Sequence, residues 1–394
     1  MITGPSSASS DAKAVRAPAA TRTRLLWTGL LLGLAIWVFI YKAGPKMPDF
    51  EVYWRAGSRA SHAEPLYRTD DGHFQFKYLP AFAVLAVPLG MFPVQTAKLV
   101  WFAVSIVLLV QLLRMNVRLP PERRKPARWL IAIMVVAFGK FYAHELVLGQ
   151  VNILFAVVAT AALLAIKAKR ELRAGVLIAV AIVIKPYAVL FLPWVAARRN
   201  VASTAAACIG LVAALILPAA LYGFEGNLSL HREWWRTVTE TTAPNLSVYD
   251  NVSLAAMYFR WVGPGELSAR LAYGTAALLL GVAGVVFLWR RGVTFPEGLE
   301  GGLLLTLMPL LSPQGWDYVF LIATPAIVYL ANYEDRLPQP LRLLTIVAVA
   351  TIGLAIFDLM GRTAYYAFMR LSFISLCFFV VIAALAVLRL RKVA

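Results

Sequence analysis

The stretch LAYGTAALLLGVAGVVFLW, residues 271–289, carries no charge and runs straight into Arg290-Arg291. A helix needs roughly 20 apolar residues to cross a bilayer, so this segment reads as a membrane span closed by a basic pair. Runs of similar character lie at 25–41, 97–113, 129–147, 149–166, 201–222, 316–331, 341–358 and 369–388. Shorter apolar runs at 79–93, 174–184, 187–197 and 301–311 suit re-entrant, interfacial or internally packed helices. The expectation is an all-α polytopic membrane protein of about 11–13 transmembrane or re-entrant helices.

Composition agrees. The chain of 394 residues is 60% hydrophobic and 15% charged, with a mean hydropathy of +0.72; soluble domains average about 45–50% and about 25%. That excludes a disordered chain, a disulfide-stapled secreted domain and an ordinary soluble enzyme. Cys208 and Cys377 both fall inside apolar runs, imply no disulfide and read as small buried hydrophobes.

The charge balance is lopsided: 38 Lys and Arg against 20 Asp and Glu, a net +18. In a soluble chain this would suggest nucleic acid, but more than half of the cations sit between apolar runs. They cluster at Lys13, Arg16, Arg22 and Arg24; at Arg114, Arg118, Arg123, Arg124, Lys125 and Arg128; and at Lys167, Lys169, Arg170 and Arg173. Further groups are Arg198-Arg199, Arg290-Arg291, Arg336 with Arg342, and Arg389, Arg391 and Lys392. Short Lys/Arg-rich loops stay cytoplasmic. All these groups share one side if 79–93 does not cross and the chain breaks at Lys185-Pro186. Residues 1–24 are then a basic cytoplasmic tail and 25–394 a single integral-membrane domain with both termini inside, 25–41 serving as an uncleaved anchor. The exterior loops are about 42–78 and 223–266, with a turn near 312–316. The partner implied by the charge is the lipid bilayer, not nucleic acid.

The first exterior loop, expected to carry short interfacial helices, mixes Tyr53, Trp54, Tyr67, Phe74, Phe76 and Tyr78 with charge. Such rings suit the headgroup layer and also the faces of sugars. Asp49, after Pro48, has two readings, a helix cap or a functional carboxylate. Lys185, in Ile184-Lys185-Pro186-Tyr187, either holds an anion beside broken helix ends or snorkels to the surface. Gln150 and Asn152 follow His144 and Glu145 closely, as site residues or as glue between helices. Asn251-Val252-Ser253 matches a glycosylation sequon, a short and weak pattern. Asp317, in Ser312-Pro313-Gln314-Gly315-Trp316-Asp317-Tyr318, faces the same cavity or caps the following helix. The four histidines, His62, His73, His144 and His231, lack metal-ligand spacing. Walker A, nucleophile-elbow and Asp-x-Asp sequences do not occur.

In order, Pro48-Asp49-Phe50, Val52-Tyr53, Ala56-Gly57, Leu66-Tyr67 and Phe76-Lys77-Tyr78-x-Pro80 are followed by Gly149-Gln150-x-Asn152, Ala174-Gly175 and Lys185-Pro186-Tyr187. Asn251-x-Ser253-Leu254 and Leu311-Ser312-Pro313-x-x-Trp316-Asp317 complete the set. This ordered series resembles glycosyltransferase family 87, the polytopic polyprenol-phosphate-mannose-dependent α-1,2-mannosyltransferases. The resemblance implies a GT-C bundle with its active site on the exterior, periplasmic face of the inner cell membrane. It further implies transfer of a hexose, mannose in relatives, from a polyprenyl-phosphate donor to a glycolipid or cell-envelope glycan. Asp49 would be the general base of an inverting displacement. Lys77, Lys185, Arg55, Tyr78, Gln150, Asn152, Asn251 and Asp317 would bind donor phosphate and sugar, with no metal or cofactor. Relatives often carry histidine where this chain has Tyr318. The competing class is a polytopic transporter or lipid flippase, which also uses broken helices and buried lysines.

Overall fold

The computed structural model describes residues 19–288, 293 and 295–393. Residues 1–18 of the basic tail, and Arg290-Arg291, lie outside the described residues. Every element is helical, and the one bridge among the described residues is antiparallel, between Asn251 and Trp316. Hydrocarbon offers backbone groups no partners, and a helix satisfies them within its own segment.

Helix α1 (Ala19–Val38) runs through a π-turn at Phe39–Ala43 into α2 (Pro48–Ser61), with a 79° bend between the two. Next come α3 (Pro80–Gly90), α4 (Val94–Val117), α5 (Ala127–Leu148), α6 (Asn152–Lys167) and α7 (Glu171–Ile184). Beyond a break lie α8 (Phe191–Ala197), α9 (Val201–Ile216) and α10 (Ala219–Glu240), the last two meeting at 88°. The second half holds α11 (Leu254–Val262), α12 (Glu266–Leu288), α13 (Pro296–Leu311), α14 (Thr324–Tyr333) and α15 (Gln339–Leu354). It closes with α16 (Phe357–Met360), α17 (Arg362–Arg370) and α18 (Phe373–Leu390).

Among the described residues four helices, α4, α5, α12 and α18, are long and apolar enough to cross a membrane, and up to six spans result if each bent pair counts as one. The expected all-α polytopic class is therefore what the structure shows, with several further apolar helices shorter than a full span. α3, with 11 residues, reaches only about 16 Å at 1.5 Å per residue, about half of a hydrocarbon core. Most of α12 faces outward, whereas α13 and α14 are buried almost throughout. The chain thus passes through the centre in α13, turns at Ser312–Trp316 and returns through Asp317–Tyr333 against α5 and α18. Both cysteines are free. Cys377 is half-buried, but Cys208 is exposed on α9, which corrects its reading as buried.

The cationic connections meet at one end of the bundle. Lys167 Nζ donates to the carbonyls of Arg118, Leu119 and Pro120. Arg124 pairs with Asp335, and Lys125 and Arg342 both pair with Glu334. Arg391 donates to the Arg336 carbonyl. Arg198 binds Glu297 and Glu300, and Glu300 also takes Arg389 and the Trp194 indole. Carbonyls and a few carboxylates thus hold the basic loops together, and the remaining polar candidates gather elsewhere.

Candidate active site

Asp49 lies in the first turn of α2, which starts at Pro48 with Met47 in the left-handed region (φ 39°). Proline suits a first helical position, where no N–H is required. No side chain caps this helix, so Asp49 is not the cap that its position after proline allowed. Its half-buried carboxyl is free for other work. Burial raises its pKa, opposed by the nearby Gln150 side chain and by the charges of His73, Lys185 and His144.

The partner below is delivered by a glycine. Helix α5 ends at Gly149 in the left-handed conformation (φ 72°), and a Cβ there would lie 2.7 Å from Phe50 Cβ and 2.8 Å from the Met47 methyl. The bare backbone lets the end of α5 sit directly under the start of α2, and Trp101 Nε1 fastens it by donating to the Gly149 carbonyl at 2.9 Å. Gln150, next in sequence, therefore projects at Asp49. Its Oε1 accepts from Tyr53 at 2.8 Å and from Tyr78 at 3.3 Å, and its Nε2 donates to the Tyr318 hydroxyl at 3.5 Å.

Lys185 occupies the break between α7 and the 3-10 turn Pro186–Leu190, in extended backbone (φ −141°, ψ 106°). Its Nζ donates to the Tyr78 hydroxyl at 3.2 Å and lies 4.8 Å from that ring's centroid. It points into the site, and the surface-snorkelling reading is not what the structure has. Lys77 adds a second amine, with its pKa lowered by burial and supported by Asp49; Trp234 donates to its carbonyl at 3.3 Å. Above them runs the 3-10 segment Thr69–Phe74, held by a two-pronged Arg59–Asp71 pair whose second bond is 2.7 Å. That pair keeps the Asp71 carboxyl below its ordinary range and carries His73 to within electrostatic reach of Asp49.

The structure thus brings Asp49, Lys77, Tyr78, Gln150 and Lys185 together, but not all the candidates. Arg55 points to another face of α2, paired with Glu51 at 3.5 Å and 4.1 Å over the Phe74 ring. Asn152 donates through Nδ2 to Glu145 at 2.9 Å, while the Asn152 and Ile153 backbone N–H groups donate to the same carboxylate. Glu145 therefore caps α6, and Asn152 is glue. Asn251 is fully buried, donating to the carbonyls of Asn245 (3.0 Å) and Pro313 (2.8 Å) and accepting the Ser253 N–H. It knits the loop 243–253 to the turn at Ser312–Trp316 and offers no exposed sequon. Asp317 Oδ1 accepts the next N–H, that of Tyr318, at 2.7 Å, so part of its reading as a cap holds. Its carboxylate interacts with Lys140 and Asp250 rather than with Asp49.

Residues missed in the sequence are His73, Tyr53, Tyr318 and His144, whose ring lies 4.9 Å from that of Tyr318. His144 stands six residues before Gln150, near the end of the helix that leads to it, and that placement was its only signal. Among the described residues no group of three or more His, Cys, Asp or Glu is placed to hold a metal ion.

A carboxylate facing two amines, with hydroxyl and amide donors between them, can accept a proton and hold an anion side by side. Comparison with known proteins bears on this arrangement. The model of glycosyltransferase family 87 matches residues 76–313. The matched stretch contains Lys77, Tyr78, Gln150, Lys185 and Asn251, and leaves Asp49 and Asp317 outside it. No curated protein and no solved structure matches the chain.

Proposed function

The chain belongs to glycosyltransferase family 87, and from that premise we propose that it moves a hexose, mannose first among candidates, from a polyprenyl-phosphate sugar to a glycolipid or cell-envelope glycan. Its class is that of a glycosyltransferase in a multi-pass membrane fold, and the transporter or flippase alternative gives way to the family match. The observation that carries the finer reading is the convergence of the uncapped Asp49 carboxylate with Lys185 and Lys77. That geometry suits an inverting displacement.

Asp49 takes the proton of an acceptor hydroxyl as its oxygen attacks the anomeric carbon, a general-base role usually worth about 10²–10⁴ in rate. The bond from that carbon to the phosphate oxygen breaks as the new glycosidic bond forms, and polyprenyl phosphate leaves with the electron pair. Lys185 and Lys77 neutralise the charge that develops on the phosphate, in a half-buried setting where fixed charges act more strongly than in water. Tyr53, Tyr78 and Gln150 hold one another by hydrogen bonds, which keeps the donors preorganised. The basic end lies in the cytoplasm with both termini, and the Asp49 end faces the exterior or periplasm.

A donor panel tests this reading. Protein in nanodiscs should transfer label from a polyprenyl-phosphate hexose, with or without a chelator, and give a product of inverted anomeric configuration. Transfer from nucleotide sugars alone, or with retention, contradicts it.

A further inference from the structure

Helix α10 takes no part in the chemistry above, yet its surface is divided in an informative way. α9 starts at the basic end, just after Arg198-Arg199, and has 16 residues. It therefore runs about 24 Å at 1.5 Å per residue towards the end that holds Asp49. There α10 turns away at 88°. Its helix is interrupted at Gly223 (φ 69°, ψ 172°) and continues from there to Glu240. If α9 stands across the bilayer, α10 runs along its surface.

At 3.6 residues per turn, the stretch 224–240 presents three faces. One packs on the protein: Leu230 and Thr237 are buried, and Trp234 donates through Nε1 to the Lys77 carbonyl at 3.3 Å. Just before the interruption, the Tyr222 hydroxyl donates to the Glu64 carbonyl at 2.8 Å. Both acceptors belong to the loop between α2 and α3. The second face is apolar and bare. Phe224, Leu228 and Trp235 share one stripe by their spacing of four and seven residues, and they are 78%, 53% and 63% exposed. The third face, beside that stripe, is exposed and polar, with Glu225, Ser229, Arg232 and Arg236.

We propose that α10 lies flat in the membrane surface on the Asp49 side, with the Phe224–Leu228–Trp235 stripe seated where headgroups meet acyl chains. The occupant of the stripe is lipid because the stripe continues a row already on α9. Ile209, Val212 and Ile216 are exposed at helical spacing, and Leu221 links them to Phe224. An apolar stripe flanked by a polar face is the pattern of an interfacial helix, and tryptophan favours that depth. The polar face carries both signs, so apolar contact holds the helix and no anionic lipid is required. One consequence rests on the glycosyltransferase reading given above. Trp234 grips the Lys77 carbonyl from the packed face, so α10 seats Lys77 at the depth of lipid phosphates. A lipid-linked phosphate then meets its amine without leaving the leaflet.

Nitroxide labels locate the helix without any turnover. In full-length protein with Cys208 and Cys377 replaced by serine, single labels are placed through Phe224→Cys, Leu228→Cys, Trp235→Cys, Glu225→Cys, Ser229→Cys and Arg236→Cys. Collision with oxygen, which concentrates in lipid, is compared with collision with a water-soluble nickel chelate in nanodiscs of neutral phosphatidylcholine. The oxygen-to-nickel ratio should be at least about threefold higher at 224, 228 and 235 than at 225, 229 and 236, as an in-plane amphipathic helix requires. Adding anionic phosphatidylglycerol should leave the pattern unchanged. Equal nickel access at all six positions would overturn the proposal, because the stripe would face water. Exclusion of both reagents at 224, 228 and 235 would also overturn it, because a protein surface, such as a second copy, would cover the stripe. Trp234→Phe keeps the ring and removes the bond to Lys77. It should weaken polyprenyl-phosphate binding several-fold in calorimetry while the label pattern persists; unchanged affinity would overturn the link to Lys77. A protein that shows the label pattern but transfers no sugar would count against the proposed function alone. An active protein without the pattern would count against this inference alone.

Discussion

Asp49 and Lys185 were both visible in the sequence as charged residues beside prolines, and each carried an ordinary structural explanation. The fold separates the explanations. α2 takes no side-chain cap, and Lys185 bonds Tyr78 instead of reaching for the surface. Pairings across long separations, such as Tyr53 with Gln150, leave no local trace, and His73 reaches Asp49 only through the Arg59–Asp71 clasp. Two predictions belong at this scale. Burial raises the Asp49 pKa, and the base works only when ionised, so kcat/KM should fall on acidification at a pH above the ordinary carboxylate range. The pH profile of the wild type, with Asp49→Glu as the retained-carboxylate control, checks it; a flat acid limb down to the normal aspartate range would contradict it. Lys185→Gln should weaken polyprenyl-phosphate binding about 10- to 100-fold, since a hydrogen bond to a charged group is worth about 1.5–3 kcal/mol. Unchanged affinity in calorimetry would remove it from the anion site.

At the scale of elements, the break at Lys185-Pro186 and the non-spanning path of 79–93 followed from length, proline and charge placement. What held α3 in place did not, because it depends on bare backbone contact. A Cβ on Gly57 would meet the carbonyl of Ala86, and one on Gly90 would meet the backbone of Ser58. These two glycines let α2 and α3 touch along their backbones, and that contact sets the height of Asp49. Gly57→Ala should therefore cost about 1–3 kcal/mol, the usual range for overpacking, and should lower kcat by displacing α2. An unchanged thermal midpoint and unchanged turnover would show that the contact is loose. The central return through α13 and α14 was only half legible: the short run 301–311 suited an internally packed helix, whereas 316–331 looks like an ordinary span and only tertiary burial marks it as the core.

For the whole molecule, the net charge of +18 resolves into two unequal ends. One is dense with arginine and lysine tied to carbonyls and to Glu300, Glu334 and Asp335; the other mixes both signs, with pairs such as Arg59–Asp71, Lys98–Glu51 and Arg270–Glu266. The grouping of cations between runs was readable because orientation during insertion depends on local charge. The sharing of Glu300 between Arg198 and Arg389 was not, since it joins three helices distant in sequence. With Cys208 and Cys377 replaced by serine, a cysteine at Glu225 should react with an impermeant maleimide in intact cells, and one at Lys169 only after lysis. The reverse pattern would invert the proposed orientation. The most direct test of the central claim is sugar transfer by purified Asp49→Asn beside wild type, both in nanodiscs, with labelled polyprenyl-phosphate hexose and candidate acceptor lipids. Wild-type transfer, with a loss of about 10²-fold or more in a variant that still binds polyprenyl phosphate, is the predicted result; transfer by Asp49→Asn at the wild-type rate would contradict the account.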